Sequence, residues 1–123
     1  MSHQFTNYSA VQDLHRRGHE IAAFGISSGD TSSEYWSEGS YDLWKDEMTG
    51  NRQIIERFAN ITDGSVIGVR APLLAVGSNN QYRMMADNFF VYDASVTAPL
   101  GRVPIWPYTL YFRMPHKCHG RRR

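Results

Sequence analysis

The chain has 123 residues, 41% of them hydrophobic and 20% charged, the make-up of one globular unit rather than of two domains or a low-complexity segment. A formal net charge of +1 supplies no global field for nucleic acid or an anionic bilayer, so neither is expected as a partner. No apolar run is long enough to span a membrane, and the opening residues are polar, without the pattern of a signal peptide.

In chain order, Thr6 or Asn7 can cap a first helix that carries Val11, Leu14 and His15 on one side and stops at Gly18. Residues 19–24 (HEIAAF) read as a short, mostly apolar strand. Residues 25–39 are rich in Gly, Ser, Asp and Thr and read as a loop in which Tyr35 and Trp36 stand out. Ser40 then caps the longest helix. Tyr41, Trp44, Met48, Ile55 and Phe58 recur at spacings of three, four and seven, an apolar stripe suited to core packing. Asp42, Lys45, Asp46, Arg52 and Glu56 form its solvated face, and Gly50 is a local weakness. Residues 65–70 form a second strand that ends in the turn Ala71-Pro72. Residues 79–87 form another amphipathic helix with Tyr82, Met85 and Ala86 as buried candidates. Residues 89–92 form a third strand, and residues 108–113 a further one after a Pro-punctuated stretch. Alternating strands and helices predict an α/β fold with βα units around a parallel sheet.

Two triplets, Asn7-Tyr8-Ser9 and Asn60-Ile61-Thr62, have the form of N-glycosylation acceptors. Cys118 is the sole cysteine, so in a secreted product its mate would lie beyond this chain. His116, Cys118 and His119 are closely spaced and lack an evident fourth ligand, which argues against a structural zinc site. His15 and His19 flank a helix end and read as structural or exposed. Residues 121–123 are a basic tail of the kind that is normally solvated.

The segments IIERFANITDGSVIGVRAPLL (54–74), 79–98 and GRVPIWPYTLYFRMPHKC (101–118), with HRRGHEIA (15–22) upstream, resemble the chitin deacetylases of arthropods, members of the polysaccharide deacetylase (NodB-like) superfamily. The resemblance implies that residues 1–120 are part of a distorted (β/α) barrel; a barrel of this kind takes about 250 residues. It also implies secretion, chitin or chitin oligomers as partner, and hydrolysis of N-acetyl groups to chitosan and acetate. In active members a zinc ion held by one Asp and two His polarises the amide carbonyl and activates water.

Carried over residue by residue, the two metal histidines of the family's H-S-x-x-H pattern fall on Phe24 and Ser28, within Phe24-Gly25-Ile26-Ser27-Ser28. Neither matches, so no metal cofactor is expected in this chain and hydrolytic activity of its own is not. The family's first motif, with the metal Asp and the base Asp, falls upstream of this sequence, and its late acid His falls downstream. Arg70 in Arg70-Ala71-Pro72 matches the Arg that orients the base. Pro72 and Leu73 occupy the groove position where a backbone N–H binds the oxyanion, with Leu73 in place of the usual Tyr. Trp106, Pro107 and Tyr108 match the aromatic segment lining the pocket. Cys118 is implied to be half of a disulfide.

Taken without the family, Arg70 reads as an ordinary solvent-facing charge and Trp106 as core at a Pro-rich turn. Tyr35 and Trp36 either stack on sugar faces or pack locally within their loop. If the aromatics alone carry the function, the chain is a non-catalytic, chitin-associating matrix protein.

Overall fold

The structure is a computed structural model and describes residues 6–27, 31–97, 105–109 and 111. Ser28, His116, Cys118, His119 and the basic tail lie outside them.

Asn7 caps α1 (Tyr8–Arg16): its Oδ1 accepts the N–H of Ala10 at 3.1 Å. Gly18 ends the helix with φ 86°, while His19 N–H reaches back to Leu14 O at 3.1 Å. Past it, His15 Nε2 lies 3.1 Å from Asp63 Oδ2, so this histidine is a structural tie rather than a ligand. The strand expected at 19–24 shrinks to one parallel bridge, Ala23 to Val69.

The loop expected at 25–39 contains a short helix, α2 (Ser33–Ser37), capped by the Ser32 hydroxyl on Tyr35 N–H. Ser40 caps α3 (Tyr41–Phe58) as expected, accepting from Leu43 N–H at 3.2 Å. Trp44 and Met48 are fully buried, whereas Phe58 is exposed and rests on Tyr8. Arg52 leaves the solvated face assigned to it. Its guanidinium lies 4.4 Å from the centre of the Phe90 ring and donates to Asn88 O, bridging two elements. Gly50 is a point of close approach rather than a weakness, since a Cβ there would stand 2.8 Å from Ile26 Cδ1.

β1 (Gly68–Val69) and β2 (Tyr92–Asp93) pair in parallel, Gly68 opposite Tyr92 and Val69 opposite Asp93. Both are shorter than the apolar runs at 65–70 and 89–92 foretold, and β2 begins where its run ends. With the Ala23 bridge they define three parallel chain passes in the order Ala23, β1, β2. A short 3-10 turn (Pro72–Leu74) and α4 (Ser78–Asp87) connect β1 to β2. The buried face of α4 is Gln81, Met84 and Met85; Tyr82 and Ala86 are exposed, about one residue of rotation away from the expected face. Tyr108 lies in no strand, and most of the strand expected at 108–113 falls outside the described residues.

The main core joins Ala23, Trp36, Trp44, Met48, Val69, Ala71, Met84 and Phe90 between α2, α3, α4 and the sheet. The Trp36 and Trp44 rings meet edge to face, centroids 5.2 Å apart. A smaller cluster of Ala59, Ile61 and Val66 seals the end of α3 against α1.

Candidate functional site at the carboxyl edge of the sheet

Because the three chain passes run parallel, the residues that follow them leave by one edge. Phe24 follows the Ala23 bridge, Arg70 follows β1, and Ala94 and Ser95 follow β2. In open α/β sheets this edge is where ligands bind. Ala23 N–H donates to Gly68 O at 2.9 Å, Arg70 N–H to Ala23 O at 3.0 Å and Ala94 N–H to Val69 O at 2.9 Å. Backbone pairing therefore brings two segments singled out in the sequence, 24–27 and 70–73, side by side.

The first segment is held by a group that sequence reasoning missed. Glu47 projects from α3 into the interior, and its side chain is buried. Oε2 accepts the N–H groups of Ile26 and Ser27 at 2.7 and 2.9 Å, and Oε1 accepts the Tyr35 hydroxyl at 3.1 Å. Three donors on one carboxylate offset much of the cost of burying its charge. Asn51 Oδ1, one turn further along α3, accepts Phe24 N–H at 3.1 Å. Thr31 adds a further tie: its hydroxyl donates to Ser27 O and accepts Trp36 Nε1–H. Gly25, at φ 88°, is required where the chain passes the Trp36 indole.

Tyr35 and Trp36 therefore separate. Trp36 is fully buried and offers no face to a sugar, which settles it as packing. Tyr35 is partly exposed, with its hydroxyl committed to Glu47. Burial first, and then the neighbouring Glu47 charge and hydrogen bond, raise its pKa above the ordinary tyrosine value. Tyr92 is raised as well, by burial first and then by the hydrogen bond to Glu20 and its charge. Both folded values lie above the unfolded one, so this stabilisation is complete below about pH 10 and is lost as pH rises through the folded values. In a tyrosinate absorbance titration of the folded protein, Glu47→Gln should lower the midpoint of the Tyr35 ionisation, because it removes the neighbouring charge. A Tyr35 midpoint unchanged by Glu47→Gln would contradict this.

The second segment is fixed from β2. Ala71 N–H donates to Ser95 Oγ at 2.7 Å, the Ser95 hydroxyl donates to Asp93 Oδ1, and Tyr82 donates to Asp93 Oδ2 at 3.1 Å. Ser95 is buried. The signal for this support was an Asp-x-Ser pattern, where an Asp accepts from the backbone two residues on, as Asp93 does from Ser95 N–H at 3.0 Å. Arg70 is exposed, and its guanidinium makes no hydrogen bond or ion pair among the described residues. Pro72 is buried, while Leu73 is 61% exposed and stands at φ 55°, as does Leu74. Consecutive left-handed leucines are costly. They turn the chain so that Leu74 N–H closes on Ala71 O and Ala75 N–H on Pro72 O, while Leu73 N–H donates to no backbone carbonyl among the described residues.

Phe24 is partly exposed at the same edge. Among the described residues, no group of three or more His, Cys, Asp or Glu side chains is placed to hold a metal ion. Trp106, Pro107 and Tyr108 lie in an exposed segment outside any helix or strand, with Trp106 83% exposed. No ring contact or hydrogen bond joins Trp106 to Arg70.

No family model matches the chain. Its sequence is 57% identical to chitin deacetylase 1 of Bombyx mori over 120 residues, 98% of this chain and 22% of that protein. It is 34% identical to chitin deacetylase 8 of Bombyx mori over 119 residues, 96% of this chain and 31% of that protein. The chain thus spans under a third of the length of either relative. By sequence it belongs with the chitin deacetylases, as the counterpart of one portion of them.

Proposed function

We propose that the chain is part of an extracellular, chitin deacetylase-like protein directed to chitin or its oligomers, and that its α/β units are a portion of the distorted (β/α) barrel. The observation that carries this reading is the 57% identity spread over 98% of the chain. The reaction of the family is hydrolysis of the N-acetyl group of N-acetylglucosamine units. Within it, Arg70 would orient the base from the carboxyl edge, and the N–H of Leu73 would face the developing oxyanion. The exposed Trp106, Pro107 and Tyr108 would supply an apolar wall for a sugar face.

The donor set does not fit the zinc ion that the reaction calls for. A phenyl ring has no lone pair to share, and a serine hydroxyl is a poor ligand beside imidazole. Phe24 and Ser28 in place of two histidines leave this chain without the imidazole pair that would grip a hydrolytic cation. The expected result is that the purified protein, supplied with zinc, retains less than stoichiometric metal and releases no acetate from chitin oligomers above the blank. Metal content by mass spectrometry and an acetate assay check this. Tightly held zinc at one per chain, with steady turnover, would overturn the proposed inactivity and leave the chitin-directed reading standing.

A further inference from the structure

The triplet Asn60-Ile61-Thr62 falls where α3 ends. Ile61 N–H reaches back to Glu56 O at 3.1 Å, and Asn60 takes the left-handed conformation, φ 53°, that this cap demands. The backbone alone makes the cap. The Asn60 carboxamide enters no hydrogen bond among the described residues. The carboxamides of Asn7, Asn51, Asn80 and Asn88 are all engaged, on Ala10 N–H, Phe24 N–H, Gly39 O and Met84 O respectively. Asn60 and Thr62 are exposed, while Ile61 between them is buried and anchors the turn in the smaller core. A cleft of about 400 Å³ opens beside them, lined by Gln53, Glu56, Arg57, Ile61, Thr62 and Gly64. Its polar side chains suit a hydroxyl-rich ring.

We propose that Asn60 is an N-glycosylation site whose first sugar lies over this cleft. In the transfer, Asn60 Nδ2 bonds to C1 of the first N-acetylglucosamine of a lipid-diphosphate-linked oligosaccharide. The C1–O bond to the diphosphate breaks, the lipid diphosphate leaves, and Nδ2 loses one proton. The attachment uses a nitrogen that makes no hydrogen bond among the described residues and keeps the left-handed cap intact. The inference rests on the extracellular reading, because the transfer occurs in the secretory pathway.

The test is peptide-level mass spectrometry on the full-length protein recovered from the medium of insect cells, before and after peptide N-glycosidase. The Asn60 peptide should carry sugar that the enzyme removes. Thr62→Ala should abolish the modification while leaving the left-handed Asn60 in place, and Thr62→Ser should retain it. A secreted protein with bare Asn60, or sugar persisting in Thr62→Ala, would overturn the proposal. Absence of the protein from the medium would instead overturn the extracellular reading, and the modification with it.

Discussion

Glu47→Ala is expected to lower the stability of the folded chain by about 3 kcal/mol or more, since each hydrogen bond to a charged group contributes roughly 1.5–3 kcal/mol. The carboxylate accepts from Ile26 N–H, Ser27 N–H and Tyr35 OH, and alanine would leave all three donors to find other partners beside a new cavity. The damage should be local before it is global. In hydrogen exchange, the amides of Ile26 and Ser27 should lose protection in Glu47→Ala, while amides at the capped start of α3 keep theirs. Glu47→Gln retains one oxygen at similar volume and should fall between the two. Wild-type melting behaviour in Glu47→Ala, with unchanged exchange at residues 26 and 27, would show that the buried carboxylate does not hold this segment.

The second large effect concerns Gly77, at the entrance to α4. A Cβ there would overlap the Trp44 indole, whose Nε1–H already donates to Trp36 O at 3.1 Å. Gly77 N–H is itself tied to the buried Gln81 Oε1 at 2.8 Å, so the backbone has little room to withdraw. Gly77→Ala should cost about 3 kcal/mol, the upper part of the usual range for overpacking. Gly64→Ala is the control: at φ 70° it incurs conformational strain, but nothing lies within 4 Å of the added carbon, so about 1 kcal/mol is expected. Denaturant unfolding of the two variants separates crowding from strain. In Trp44→Phe the smaller ring vacates the contested space, and the added cost of Gly77→Ala should shrink, a coupling that a double-mutant cycle measures. Equal costs for Gly77→Ala and Gly64→Ala would remove crowding as the cause.

The helices were legible because their signals are local. Asn7 and Ser40 are caps that act within three residues, and Trp44 and Met48 sit on a stripe that one helix surface can bury. The strands were less so. Residues 19–24, 65–70 and 89–92 are apolar enough to be strands throughout, yet ladder bonds form only where neighbouring passes align, and that depends on distant chain. Trp36 misled because its sequence neighbours are polar; its partners, Thr31, Trp44 and the Gly25 turn, reach it in three dimensions. Glu47 was passed over because a helical glutamate is solvated by default, although its place three residues after Trp44 and one before Met48 puts it at the margin of the buried stripe. On α4, one residue of phase exchanged Tyr82 and Ala86 for Gln81 and Met84, a small error in a ten-residue helix with few large apolar side chains. At the candidate site, Arg70 and Leu73 were singled out through family likeness, while the Asp93–Ser95 support needed the register of β1 against β2.

Three of the helices stop in one way, with a left-handed residue followed by a backward amide bond, and the residues chosen differ: Gly18 after α1, Asn60 after α3 and Phe89 after α4. Glycine does this without penalty and asparagine with little, but a phenylalanine in that conformation is unfavourable. The last stop persists because Phe90 N–H reaches Met85 O at 2.9 Å and Phe90 itself enters the core. The chain behaves there like a latch held by its neighbour: the buried ring at 90 dictates the twist, and the ring at 89 is swung outward into water as the by-product.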